Sequence, residues 1–72
     1  MKNEILLKLG NKIRYERMKR NFSQEDLAGL IGLSTPAISN LENGISNIKF
    51  TTFYSIVKVL DLDLSELLDF KL

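Results

Sequence analysis

Residues 23–44, SQEDLAGLIGLSTPAISNLENG, decide how this chain folds. The stretch reads as two short helices joined by a tight turn at Gly32. Ser23 stands before an apolar-periodic run with Asp26 three residues on, so the two side chains can cover each other's orphan backbone amides as an N-cap box. Ser34 opens the second helix, and Pro36 falls in its first turn, where a missing N–H costs nothing and a fixed φ suits the helix. Between the two, Gly32 can take a positive φ and reverse the chain. Leu27, Ala28, Leu30 and Ile31 recur at helical spacing and are expected to bury against Ile38 and Leu41.

The second of these helices has two unlike sides. At about 100° per residue, Thr35, Pro36, Ser39, Asn40 and Asn43 share an arc of about 140°, with Ala37, Ile38, Leu41 and Ile45 opposite. One side is built for burial and the other offers small polar groups to a partner. Two helices and a Gly turn within about 20 residues are the pattern of a helix-turn-helix.

Length and composition limit what else the chain does. Seventy-two residues make one small domain, expected over 1–72, and folding one so small removes only about 60% of its unfolded surface from water. There is no Cys and no His, which removes disulfides, thiolate and imidazole metal ligands, nucleophilic thiols and the usual general base. With no convergent set of acid, base and nucleophile, an enzyme is not expected, nor is any metal or cofactor. No apolar run approaches a membrane span, and the first residues, MKNEILLKLGNK, lack the pattern of a secretory signal, so the expected location is the cytoplasm. The net charge of +1 hides an asymmetry: residues 1–50 hold eight Lys/Arg against five Asp/Glu, for +3, and residues 51–72 carry −2. A polyanion would prefer the first part. The same charges would also serve simply to keep the surface soluble.

Working outward, residues 3–20 read as a first helix with Leu6, Leu9, Ile13 and Met18 at core spacing and a Lys/Arg-rich outer face. Gly10 inside it costs about 1 kcal/mol relative to Ala, so it marks close packing against a neighbour. Asn21 suits a left-handed C-cap and Phe22 is placed to plug the core. Residues 50–60 read as a fourth helix with Phe50, Phe53, Tyr54, Val57 and Leu60 on one apolar face and Ile56 and Val59 outside it. It is thus oily around more of its circumference than a lone small domain needs. Asp61 and Asp63 break it, and residues 64–70 read as a last short helix whose Leu67 and Leu68 close the core.

The order of residues resembles the phage repressor and Cro-type, or XRE, helix-turn-helix family over nearly the whole chain. The spacings that carry the resemblance are Gln24-x-x-Leu27-Ala28, Gly32-x-Ser34 and Ile38-Ser39-x-Leu41-Glu42-x-Gly44, occurring together. The resemblance implies an all-α, five-helix, lambda-repressor-like domain, with helices 2 and 3 as the helix-turn-helix. It also implies that the domain binds palindromic operator DNA as a homodimer. By position, Thr35, Pro36, Ser39 and Asn40 match the places where the family reads bases, and their chemistry suits adenine edges and thymine methyls. Ser23, Gln24, Asn43, Lys49 and, more peripherally, Arg14 match phosphate-contacting places or stand near them. Ordinary roles exist for each: a solvated helix surface, an early-helix residue for Gln24, a loop charge for Lys49. Arg17 and Glu42 match a structural ion pair joining the first helix to the recognition helix. Three positions depart from the family: Glu16 where an apolar residue is usual, Asn21 for the common loop Gly, and Ile48 where Pro is frequent.

The function expected from this is a sequence-specific transcriptional regulator that binds double-stranded DNA, in a phage, restriction-modification or antitoxin setting. Its dimer patch is expected at Ile56, Val59, Leu62, Leu64 and Phe70, although some of these would equally close the core of a monomer. The competing reading is an antitoxin or adaptor that keeps the helix-turn-helix but has a protein as its main partner. The acidic, apolar final third would support that alternative.

Overall fold

Four helices follow one another in the computed structural model, which describes residues 4–45, 47–63 and 65: α1 (Glu4–Lys19), α2 (Gln24–Ile31), α3 (Thr35–Glu42) and α4 (Phe50–Val59). No strand occurs among the described residues. The expected fifth helix, including Leu64, Leu67, Leu68 and Phe70, lies outside them apart from Ser65.

Each boundary has a local cause. Ser23 and Asp26 form the reciprocal box: Asp26 N–H donates to Ser23 Oγ and Ser23 N–H to Asp26 Oδ2, both at 2.9 Å. These bonds, the backbone one first, hold the Asp26 carboxyl below the ordinary Asp range. Ser34 Oγ accepts from Ala37 N–H at 3.2 Å and opens α3, with Pro36 in its first turn. All four helices stop on a residue with positive φ: Asn21 (60°), Gly32 (75°), Gly44 (70°) and Asp61 (51°). After each, the next residue's N–H returns to a carbonyl five positions back: Phe22 to Arg17, Leu33 to Ala28, Ile45 to Asn40 and Leu62 to Val57. This closure satisfies carbonyls that a helix end would otherwise leave open.

α1 packs on α3, α3 on α2, and α2 on α4. Gly10 is the point of closest approach between α1 and α3: a Cβ there would lie 2.5 Å from the Leu41 carbonyl oxygen and 2.6 Å from that of Glu42. At the far end of the contact, a Cβ on Gly44 would lie 2.7 Å from Leu7 Cα. The core is Leu9, Ile13, Leu27, Ala28, Ile38, Leu41, Ile56 and Leu60, with Phe22, Ile31, Leu33 and Ile48 packed at its edge. Two of the three departures from the family fit quietly: Asn21 takes the left-handed turn, and Ile48 packs where a Pro is frequent. Glu16 sits half-buried and is bonded to Arg20 Nη1 at 2.6 Å.

Several expected core residues face outward instead. Met18, Leu30 and Ile45 are exposed. Leu27, Ala28 and Ile31 already span an arc of about 100° toward the core, and Leu30 falls about 60° beyond its edge. The larger difference is the phase of α4. Ile56 is fully buried and Leu60 with it, while Phe50 is 75% exposed and Tyr54 54%. The buried face is rotated by roughly 70° from the expected one, because a helix apolar around most of its circumference takes its phase from the surface it meets. Here that surface is α2. Phe50 and Tyr54 instead stack on one another outside, ring centroids 6.4 Å apart, with Lys58 Nζ 5.6 Å from the Tyr54 ring.

Two glycines should respond oppositely to alanine. Gly10→Ala forces backbone apart and should lower stability by about 1 to 3 kcal/mol or more; Gly29→Ala, on α2 with nothing within 4 Å of its Cβ position, should raise it by about 0.5 to 1 kcal/mol. Urea melts of the two variants read both signs. Asp26→Asn should lower stability at neutral pH. A folded-state pKa below the unfolded one contributes stability above the unfolded value and loses it as pH falls through the folded value, so the difference from wild type should close below about pH 4. Melts repeated from pH 6 to pH 2 would show a constant gap if the box contributes nothing.

Candidate nucleic-acid interface

α3 is gripped from behind and open in front. Ile38, Leu41 and Glu42 are buried, whereas Thr35, Pro36 and Asn40 are exposed and Ser39 and Asn43 are half-buried on the outer arc. Asn43 Nδ2 reaches Ser39 Oγ at 3.5 Å, so the arc carries its own weak internal bond. The four residues expected to read bases thus share one face, and three of them are fully outside the packed interior.

Behind this face lies a polar junction inside an otherwise apolar core. Arg17 is 8% exposed and Glu42 1%. Arg17 Nε donates to Glu42 Oε2 at 2.6 Å and Nη2 to Oε1 at 3.1 Å, a two-pronged contact that matches guanidinium to carboxylate geometry. The remaining fork, Nη1, donates to the Phe22 carbonyl oxygen at 2.6 Å, while Phe22 N–H returns to the Arg17 carbonyl at 3.1 Å. Gln24 Nε2 donates to Glu42 Oε1 at 3.1 Å. No buried side-chain nitrogen or oxygen among the described residues lacks a partner. The expected ion pair is therefore present, and it is wider than expected. The Phe22 carbonyl and Gln24 join it, and neither the pairing of residues 18 apart nor a backbone acceptor leaves a periodic trace in sequence.

The residues expected at phosphates are dispersed. Ser23 is exposed; its Oγ serves the α2 cap as acceptor and keeps its O–H to donate. Gln24 is half-buried at the first position of α2. Lys49 is exposed at the N-cap of α4 and lines, with Asn47, Ile48 and Thr52, an open groove whose other wall is Leu33, Ala37 and Leu41. That groove brings Lys49 beside the base of α3. Arg14 is exposed on α1 and takes no part in the cluster.

The expected dimer patch needs correction. Ile56 is wholly enclosed by its own chain and offers no surface. Val59 and Leu62 are half-buried against the core, and Leu64 and Phe70 lie outside the described residues. Phe50 and Tyr54 are the large apolar side chains that α4 leaves outside. Among the described residues no group of acidic side chains is arranged to hold a metal ion, and no helix is long and apolar enough to cross a membrane.

Two capped helices crossing at a Gly turn, the second with a buried back and a free polar front, define a helix-turn-helix unit. The chain belongs to the XRE-type helix-turn-helix family of DNA-binding regulators, whose model, described as helix-turn-helix, matches residues 13–67. It is 39% identical over 71 residues to the control protein C.BamHI of Bacillus amyloliquefaciens, covering 97% of this chain and 88% of that one. It is 35% identical over 57 residues to the antitoxin HipB of Escherichia coli K12, covering 79% of this chain, and spans 65% of HipB's length. Among solved structures, the restriction-modification controller protein C.AhdI from Aeromonas hydrophila superposes with a TM-score of 0.80 at 32% identity, covering 86% of this chain and 94% of that chain.

A buried pair broken on one side strands a charge. Arg17→Met and Glu42→Leu should each lower stability by about 3 to 5 kcal/mol, and the double variant should cost far less than their sum. Denaturant melts of the three variants give the coupling directly; additive losses would show that the two side chains act independently.

Proposed function

We propose that the protein is a cytoplasmic, sequence-specific transcriptional regulator that binds a palindromic operator as a homodimer, with α3 in the major groove. The observation that carries this reading is the division of α3 into a buried aliphatic back and a free polar front. Asn40 is the principal reader, able to bond adenine through both amide atoms, a contact worth roughly 1 to 3 kcal/mol of discrimination. Thr35, Pro36 and Ser39 supply adaptable hydroxyl contacts and apolar contact with thymine methyls. Ser23, Gln24, Asn43 and Lys49 hold the phosphates on either side, with Arg14 at the periphery. The second copy docks through apolar side chains of α4 and the segment after it, for which Val59, Leu62, Leu64 and Phe70 are the candidates. Similarity to C.BamHI and C.AhdI across most of each chain favours restriction-modification control over the other settings.

A protein-partner role of the antitoxin type is the second reading. It is favoured by the stacked Phe50–Tyr54 pair on the surface and by the similarity to HipB, and a phage-type repressor remains the third setting.

Selection of bound sites from a random duplex pool tests the reading as a whole. The expected product is two inverted half-sites about 34 to 36 Å apart, the spacing a two-fold dimer imposes. Asn40→Ala and Ser39→Ala should keep the fold and relax preference within the half-site, and log K should fall with log salt by about 0.9 per phosphate neutralised. Recovery of a single half-site would remove the homodimer, and an unchanged preference in both variants would remove α3 as the reading element.

A further inference from the structure

We propose that Asn43 is a modification site: attack by the Gly44 backbone nitrogen converts its side chain to a carboxylate, and the closure at the end of α3 is what holds that reaction back. Of the six asparagines in the chain, Asn43 is the one followed by glycine, whose missing Cβ leaves its backbone nitrogen open to the side chain before it. In the step itself, the Gly44 nitrogen gives its proton to water or hydroxide and bonds to Asn43 Cγ. The Cγ–Nδ2 bond breaks, and Nδ2 takes a proton from water and leaves as ammonia. Water then opens the cyclic imide at one of its two carbonyls. Opening at Cγ gives aspartate; opening at the main-chain carbonyl gives isoaspartate, whose backbone runs through Cβ and is longer by one carbon. The sum is asparagine plus water to a carboxylic acid plus ammonia, with no other reagent.

The folded chain sets its geometry against this reaction. Asn43 has ψ 4°, so its Cβ and the Gly44 nitrogen lie about 120° apart around the Cα–C bond, whereas the imide ring needs them almost eclipsed. The Gly44 N–H donates to the Leu41 carbonyl at 3.2 Å, which occupies the nitrogen that must lose its proton and attack. The Asn43 amide is drawn back along α3, its Nδ2 donating to Ser39 Oγ at 3.5 Å. Turning ψ toward the reactive range would swing Gly44 off a tight seat: Gly44 is buried, and a Cβ there would fall 2.7 Å from Leu7 Cα. Just beyond, Ile45 N–H is bonded to the Asn40 carbonyl at 3.0 Å. Ring closure therefore waits for the end of α3 to lift from α1. The two products then act differently. Aspartate leaves the backbone as it was and puts a negative charge on the polar arc of α3, whereas isoaspartate adds a carbon beside a glycine that has no room to move. What the new charge does to DNA rests on the reading of α3 as a duplex-binding helix; the reaction and its restraint do not.

Peptide mapping by mass spectrometry, with isoaspartate resolved from aspartate, tests this on the full chain incubated without DNA at mildly alkaline pH. In urea, Asn43 should be the first asparagine converted. In the folded protein it should be converted about ten- to a hundredfold more slowly, the factor that opening one or two cap bonds implies. Equal rates in folded and urea-unfolded wild type overturn the restraint, and earlier conversion of another asparagine in urea overturns the site. The aged forms are then separated and melted. The aspartate form should keep nearly the midpoint of the unconverted protein and the isoaspartate form should fall below it; an isoaspartate form as stable as the unconverted protein overturns the role given to the Gly44 seat. On the selected duplex, Asn43→Asp should bind about three- to tenfold more weakly than Asn43→Ala, with the gap widening as salt is lowered. Equal binding by the two removes the effect of the charge. A wild-type protein that recovers no duplex at all defeats the DNA-binding reading instead, and leaves the conversion rates and melts standing.

Discussion

A carboxylate with 1% exposure in a chain of 72 residues is the constraint around which the other elements arrange themselves. Burying Glu42 without partners would cost several kcal/mol, a sizeable share of what a domain this small has in total. The three donors that prevent this come from two places: Arg17 on α1 supplies two N–H groups and Gln24 on α2 supplies one. An apolar contact between α1 and α3 would tolerate sliding and rotation; a forked ion pair does not, because guanidinium and carboxylate must stay coplanar and in register. Gly10 lies directly against the carbonyls of Leu41 and Glu42, so the backbones can come close enough for the pair to form. The absence of a side chain at one position and the charge at another are thus two halves of one requirement.

The front of α3 depends on this arrangement indirectly. Its polar residues are free because the needs of the helix itself are met elsewhere: Ser34 covers the first-turn amide and Gly44 turns the chain so that Ile45 closes onto Asn40. The exposed side chains of Thr35 and Asn40 have no structural duty left to perform among the described residues. The similarity to C.BamHI and C.AhdI extends along most of each chain, as expected if the whole scaffold, and not the polar face of α3 alone, is what the family shares.

Local signals in the sequence translated directly into structure. Ser23 with Asp26, Ser34 with Pro36, Gly32 and Asn21 each act over four residues or fewer, and each does in the fold what its chemistry suggests. Gly10 was also readable, since a helix-interior glycine is costly unless something presses on it. The Arg17–Glu42 pair spans 25 residues and was legible only through resemblance to a family. The phase of α4 was not legible at all. Eight of its ten residues and Leu60 present aromatic, aliphatic or threonine methyl groups, so hydrophobicity has no sharp direction, and packing on α2 selects Ile56 and Leu60 over the larger Phe50 and Tyr54. The bond from Gln24 to Glu42 left no trace because glutamine at a helix start is unremarkable by itself.

The four left-handed reversals bear on how quickly the chain reaches this state. Each closes over six residues, from Arg17 to Phe22 through Val57 to Leu62, so the reversals of the chain are laid down by near neighbours with little loop entropy to overcome. Helical domains of such local wiring fold in microseconds to milliseconds. Synthesis at about 5 to 20 residues per second takes several seconds for a chain of this length. Folding on that timescale keeps pace with synthesis, and the reversals can close as soon as their six residues are out of the ribosome.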